Sequence, residues 1–414
     1  MKRQKFEFIE ILYYFTVMLS VGMFLMFSLN LYWHRNLLTI LSIALLFLMI
    51  PILIVNAKRI SKSAFIYGTF LSICIIYEIS RAKTLYNYSV SNIFLASRQY
   101  IWIFLFFVLI YLFKNKQENM RKILDNTLNI FMFSLGIRAF TWFLYTLFQV
   151  ELFPAILREF GDLWYRNEFS VRIDGTPLII IGLLISTFFY FKFGNRKYFY
   201  YLFLILMYIT FVNQTRMLLV SVLISIFLMF VYSRRTSRLL TTLSFITVII
   251  LFVYGGGLDY IKAYLNIDTG SFDMGLGFRY WELKYYLGLL ANDVWKLGVG
   301  ILTSSNINSN FILAGPGAVK MYLDDLGFLE LFVQFGVAAI FMYGYIFYKI
   351  INLILRMSND EYRVDRAFFI ALLTNLIITS ISLNIFGAQR SFSLAIVLAL
   401  IFYYDYRLKN DIEN

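Results

Sequence analysis

The chain has 414 residues, of which 60% are hydrophobic and 20% aromatic, and only 15% are charged. Soluble domains carry roughly 25% charged residues, and a mean hydropathy of +0.72 excludes that class; the composition is that of an all-α, polytopic membrane protein. The net charge of +13 lies in short loops between apolar runs, so it reads as a topology signal and not as a surface for nucleic acid.

Cys74, the one cysteine, sits in an apolar run and rules out an internal disulfide, and the one histidine, His34, stands beside Arg35 in what reads as a short loop. No His/Cys cluster is present for zinc or haem. Taken in order, Met1-Lys-Arg-Gln-Lys5 precedes an apolar run too long for a signal-peptide core and without a small-residue cleavage site, so that run is read as a first span. Spans of about 20 apolar residues cross a bilayer. Twelve are predicted, over about 9–29, 37–55, 64–80, 93–113, 128–150, 177–193, 198–213, 216–232, 239–254, 326–348, 367–386 and 391–406. They form one transmembrane domain over 1–414, with the loop 255–325 inserted between spans nine and ten.

The loops on the N-terminal side are short and basic, as in Lys58/Arg59/Lys62, Arg234/Arg235/Arg238 and Arg407/Lys409. The opposite loops include the two long ones, Glu151–Thr176 and Gly255–Asp325, which mix acids with bases. The positive-inside rule then places both termini in the cytoplasm and both long loops outside. The cytoplasmic loops are too short to fold as a nucleotide-hydrolysing domain. No glycine-rich phosphate loop is present, since Gly255-Gly-Gly257 ends a span and reads as a helix stop, and no internal repeat of the transporter kind is visible.

Several arginines fall at or just inside the outer ends of spans. Arg98 stands in Ala-Ser-Arg98-Gln-Tyr, Arg138 within 131–150, Arg172 in Ser-Val-Arg172-Ile-Asp-Gly-Thr-Pro177, and Arg390 in Gly387-Ala-Gln-Arg390. Arg216 breaks the run between Tyr198 and Tyr232 in Asn213-Gln-Thr-Arg216. A charge at bilayer depth costs about 2.5–3.5 kcal/mol on insertion scales, so such residues face a cavity or a partner. Guanidinium binds phosphate through two parallel hydrogen bonds and keeps its charge. The blander readings are snorkelling for Arg98 and Arg390 and an ion pair with Glu151 for Arg138. The long loop adds Arg279 in Phe278-Arg-Tyr-Trp281-Glu282, on an expected interfacial helix whose aromatics suit the headgroup level. Asp324 and Asp325 follow in Tyr322-Leu-Asp-Asp-Leu-Gly327, where an aspartate also suits a helix N-cap.

Three motifs in order carry a resemblance. They are Thr215-Arg216-Met-Leu-Leu at the start of a span, Arg279-Tyr-Trp281 followed by Gly298-Val-Gly300 in an outer loop, and Tyr322-Leu-Asp-Asp325-Leu-Gly327 with Phe335-Gly336 half a helix later. Over about 198–348 the chain resembles the bacterial polysaccharide polymerases and O-antigen ligases, the Wzy/WaaL-type membrane glycosyltransferases; elsewhere the likeness is general hydropathy. The resemblance implies a GT-C-like helical enzyme of the bacterial inner membrane, without metal or other cofactor. Its implied substrate is a polyprenyl-diphosphate-linked oligosaccharide in membrane lipid, with chain-length regulator and flippase proteins as further partners. By position Arg216 and Arg279 resemble the pair that binds the donor diphosphate. Ligases carry a histidine shortly before the last motif, where this chain has Val319-Lys320-Met321, so the polymerase branch fits better.

Capsule, exopolysaccharide or O-antigen repeat units would then be joined outside the membrane. Positive charge aimed at the leaving diphosphate is what such a reaction needs. Arg216 and Arg279 would supply it, with Arg172, Arg138 and Arg98 in support and Tyr322 at the substrate. A base for the acceptor hydroxyl would be Asp325, then Asp324, then Glu282. The alternatives are a lipid-linked oligosaccharide flippase and an O-antigen-type ligase.

Overall fold

A run of apolar residues has nowhere to satisfy its backbone in lipid except within a helix, and this chain is built accordingly. The computed structural model describes residues 2–27, 31–55, 61–113, 116–159, 163, 165–167, 170–233, 274–291, 293–315 and 321–413. The expected span 239–254 and the glycine run after it lie outside those residues. The first half comprises α1 (Lys2–Ser20), α2 (Leu31–Val55), α3 (Lys62–Tyr86), α4 (Val90–Ile103), α5 (Leu105–Phe113) and α6 (Gln117–Phe148). A short α7 (Pro154–Leu157) and a two-stranded antiparallel ribbon, β1 (Tyr165–Asn167) and β2 (Ser170–Val171), lead to α8 (Ile179–Phe193), α9 (Arg196–Met207) and α10 (Arg216–Ser233). After α10 come α11 (Met274–Leu289), α12 (Val294–Leu297), α13 (Ile307–Ala314), α14 (Phe328–Phe335), α15 (Val337–Arg356), α16 (Arg363–Thr379) and α17 (Ser391–Glu413).

Among the described residues six helices are long and apolar enough to cross a membrane, over Tyr32–Pro51, Lys62–Tyr86, Val90–Phe113, Gln117–Phe148, Val337–Arg356 and Ser391–Asn410. Phe8–Ser20, Ile179–Phe193 and Met217–Ser233 are shorter apolar helices. Ile40, Phe47, Ile66, Ile73, Phe140 and Phe341 stand exposed on helix faces, an arrangement that suits lipid and not water. The protein is a membrane-embedded helical bundle. Its axis is α17, apolar on every side and buried almost throughout from Ser391 to Asp405, as a helix without a polar face must be; it packs against α4, α5, α8 and α15.

The last third departs from the sequence reading. The stretch 326–348, expected as one span, breaks at Gly336 into α14 and α15, and the helix expected over 367–386 stops at Thr379. Both breaks have a backbone cause. Gly336 has φ +57°, and a Cβ there would lie 2.6 Å from Gly298 N and Lys296 O. Gly327 has φ +55°, and a Cβ there would lie 2.1 Å from Ser380 O. Glycine alone adopts that conformation readily and leaves room for a crossing chain. His34 and Arg35, expected in a loop, lie in the first turns of α2.

At one end of the bundle the helix ends are tied by mixed pairs. Asp405 holds Lys349 at 3.2 Å and Arg356 at 3.0 Å, and accepts from Ser61 and Ser63. Lys122 pairs with Glu10 at 2.8 Å and Lys197 with Asp125 at 2.7 Å. The long loops lie at the other end, where the charges are arranged differently.

Candidate functional site

The C-terminal half of α6 carries Arg138 into the bundle at 2% exposure. Its Nη1 donates to Glu159 Oε2 at 2.6 Å and to the carbonyl of Asp174 at 3.2 Å, and Nη2 reaches the Val21 carbonyl at 3.4 Å. The sequence reading paired Arg138 with Glu151. The partner is Glu159, and Glu151 binds Arg158 instead at 2.6 Å. The chain after β2 runs beside the π-helical turn Tyr208–Asn213 that continues α9: Ile173 N donates to Val212 O at 3.2 Å and Asn213 Nδ2 to Asp174 Oδ1 at 2.9 Å. A π turn is uncommon and marks functional sites often; here it brings Asn213 and Thr215 to the segment 172–174 that follows β2. Arg172 donates to Thr215 Oγ1 at 2.9 Å and lies 3.9 Å from Asp174 Oδ1. Burial pushes the Asp174 carboxyl up, against the pull of Arg172 and then Arg138. Arg216 follows Thr215 as the first residue of α10; its side chain lies outside the described residues.

Beside this cluster is a cavity of about 50 Å³ lined by His34, Arg35, Glu159, Asp174, Thr176 and Gln389, among others. Arg35 interacts electrostatically with Glu159, Asp324 and Asp174. Arg98, on α4, is within electrostatic reach of Arg35. Arg390, just before α17, is buried and faces Tyr343 and Asp174; desolvation pulls its guanidinium down to about 10. Arg35, Arg138, Arg172 and Arg390, drawn from four separate stretches, therefore surround Glu159 and Asp174, with Arg98 beyond Arg35. The balance is positive.

A second group lies on the stretch 274–326. Arg279 Nη2 is 3.5 Å from Asp325 Oδ2, both half-exposed. One turn on, Glu282 is 1% exposed and its Oε1 accepts from Tyr322 N at 2.6 Å. Burial raises the Glu282 carboxyl, the Tyr322 N–H opposes this, and Asp325 and Asp324 add to the rise. Tyr286 donates to Met321 O at 3.1 Å. α11 thus clamps the short 3₁₀ turn Leu323–Leu326. Arg279, Glu282, Tyr322, Asp324 and Asp325, separated by 46 positions at the extremes, come together. Asp324 links the two groups, since it is exposed and interacts with Arg35 on one side and Glu282 on the other.

The Gly298-Val-Gly300 motif has a structural role. Val299 N donates to Val333 O at 2.7 Å and Gly300 N to Gln334 O at 3.0 Å, so the loop pairs with the end of α14. Arg81 Nη2 and the Tyr86 hydroxyl, on α3, hold the Gly298 and Val299 carbonyls at 2.7 and 2.5 Å. No N–H of this motif is aimed at a phosphate. It docks this stretch on the bundle.

Glu159, Asp174, Asn213, Arg35 and His34 were not singled out as site residues. Asp174 was legible in part, two residues after Arg172 in a Gly-Thr-Pro turn. Glu159 gives no local signal, because its partner is 21 positions away. The searches add no relative: no protein-family model and no curated protein matches this chain.

Proposed function

We propose that the chain is a GT-C-like membrane glycosyltransferase of about twelve spans, with both termini in the cytoplasm, that polymerises lipid-linked oligosaccharide repeat units on the outer face. The growing glycan passes from polyprenyl diphosphate to a hydroxyl of a new lipid-linked unit, and the diphosphate leaves. The observation that carries this reading is the positive cluster around Glu159 and Asp174, at the end of the bundle that bears the long loops. Positive charge held in place before reaction stabilises a leaving diphosphate without reorganisation, and guanidinium is the group suited to it.

The acceptor's proton needs a carboxylate. Asp325 is occupied by Arg279 at 3.5 Å, which weakens it as a base. Asp324, next to it, is exposed and stands between Arg35 and Glu282, and on that position it is the favoured group. Arg279 and Arg216 assist at the diphosphate.

Purified protein in detergent, given a lipid-linked repeat unit, should lengthen the glycan, as seen on gels. Detergent micelles offer no second compartment, so a flippase would produce no lengthening. Arg172→Ala and Asp324→Asn should each shorten or abolish the products. Full-length products from both variants would refute the assignment.

A further inference from the structure

The cavity beside Arg138 holds more than it needs for packing. Thr176 is 5% exposed, and its hydroxyl has no hydrogen-bond partner among the described residues. His34 is 2% exposed, and neither ring nitrogen makes a hydrogen bond of good geometry, although the backbone of Leu19 and of Phe24 lies close to it. Both residues line the cavity. A buried hydroxyl or imidazole without a partner costs about 1–3 kcal/mol, and native proteins rarely leave several together. Arg98 adds a buried Nη1, also without a partner among the described residues.

The charges in the wall are of both signs, and each acid has one oxygen engaged. Glu159 is taken by Arg138 at 2.6 Å, and Asp174 by Asn213 Nδ2 and Gly175 N, each at 2.9 Å, with Arg172 beyond. Arg35 makes no ion pair within 4.0 Å among the described residues, and only longer-range interactions reach it. The wall also includes Gly175, Thr176 and Pro177, the lead-in to α8. That helix has Leu178 at its N-cap and no side chain accepting from its first turn. Its first N–H, at Ile179, already donates to Thr176 O at 3.1 Å, but the partial positive charge of such an end still attracts anions.

A water needs about 10–15 Å³ of such space. The cavity, at about 50 Å³, is larger by a few waters and has room for one tetrahedral oxyanion. We infer that Arg35, Thr176 and His34 form a phosphate-binding site, with Arg98 behind it. The guanidinium of Arg35 and the Thr176 hydroxyl donate to the anion's oxygens, and an N–H of His34 completes the set. Phosphate is the class favoured because two buried groups without hydrogen-bond partners among the described residues, Thr176 and His34, share the wall with the fixed charge of Arg35. The source is either the phosphate of a lipid carrier or free phosphate or pyrophosphate. Its connection with the donor rests on the polymerase reading; the site itself does not.

The test uses full-length protein in detergent and calorimetric titration with inorganic phosphate, pyrophosphate and a short-chain prenyl phosphate. At least one should bind. Arg35→Gln should weaken it about tenfold or more, as loss of a charged hydrogen bond does. Thr176→Val, nearly the same shape, should weaken it several-fold, and Lys197→Gln, at the residue that pairs with Asp125 at the opposite end of the bundle, should leave it unchanged. A prenyl phosphate binding well above inorganic phosphate identifies the lipid carrier, and equal binding identifies the free anion. No binding of any of the three, or binding that Arg35→Gln and Thr176→Val leave intact, overturns the site. If Arg35→Gln does not fold, Thr176→Val decides alone. Binding without glycan lengthening in the wild type leaves the site and removes the polymerase. Normal lengthening by a variant that no longer binds the anion leaves the polymerase and severs the site from the donor.

Discussion

Replacing Arg138 with leucine should destabilise the folded protein by about 3–4 kcal/mol. Breaking a buried ion pair by removing one partner costs about 3–5 kcal/mol, because the other charge is left uncompensated. Arg138 is 2% exposed and Glu159 is 14% exposed. The remaining carboxylate keeps some solvent, which places the ion-pair part near the lower end. The contacts from Arg138 to the Asp174 and Val21 carbonyls are long, 3.2 and 3.4 Å, and add about 0.5–1 kcal/mol together. Removing both charges at once, Arg138→Leu with Glu159→Leu, eliminates the orphan and should recover about 2–3 kcal/mol of the loss. Unfolding is followed by circular dichroism in mixed detergent micelles, for wild type, both single variants and the double variant. A loss under about 0.5 kcal/mol for Arg138→Leu would refute the reasoning, as would a double variant no more stable than the sum of the single losses.

The exposed pair Arg279–Asp325 should behave in the opposite way. Surface pairs contribute about 0–1 kcal/mol, so Arg279→Ala should leave the melting temperature nearly unchanged while glycan lengthening falls about tenfold or more, as expected for a lost charged hydrogen bond to the diphosphate. Gly336→Ala should release the outer loop from the bundle: a left-handed non-glycine residue costs about 1–3 kcal/mol, and the new methyl meets backbone at 2.6 Å. Limited proteolysis between α11 and α14 should speed up markedly, and an unchanged cleavage pattern would count against the crossing. Glu282 supplies a pH test. Burial raises its carboxyl in the folded chain, so the folded state binds the proton more tightly than the unfolded state. Its contribution is fully present below the unfolded value, about 4.3, and is lost as pH rises through the folded value. Glu282→Gln keeps an acceptor for Tyr322 N and removes the titration, so the decline in melting temperature with rising pH should be shallower than in wild type. An unchanged slope would show that Glu282 does not carry it.

Hydropathy is written residue by residue, and what depends on it alone was legible: an all-helical membrane protein, the six long apolar helices among the described residues, and the stretches where polar residues interrupt them. Arg98, Arg138, Arg172, Arg279, Glu282, Tyr322, Asp324 and Asp325 all stood out in the sequence because charge and polarity are conspicuous against an apolar background. Which of them meet was not legible. Arg279 reaches Asp325 across 46 positions and Arg138 reaches Glu159 across 21, and a periodicity of 3.6 residues says nothing at such separations. The glycines Gly298 and Gly336 were read only as members of the motifs that carry the resemblance, and nothing in a one-dimensional string shows that two backbones cross there at contact distance, where a side chain would not fit.

The sequence by itself determined that the chain lies in a membrane and that its charges collect at the helix ends, because transfer of each residue from water to hydrocarbon is a local property. Only the tertiary structure decided that Arg35 and Thr176 share a cavity, that Glu159 neutralises Arg138, and that the Gly-x-Gly motif docks a loop. Those facts depend on the summed path of many helices, and a single interruption such as Gly336 redirects everything after it.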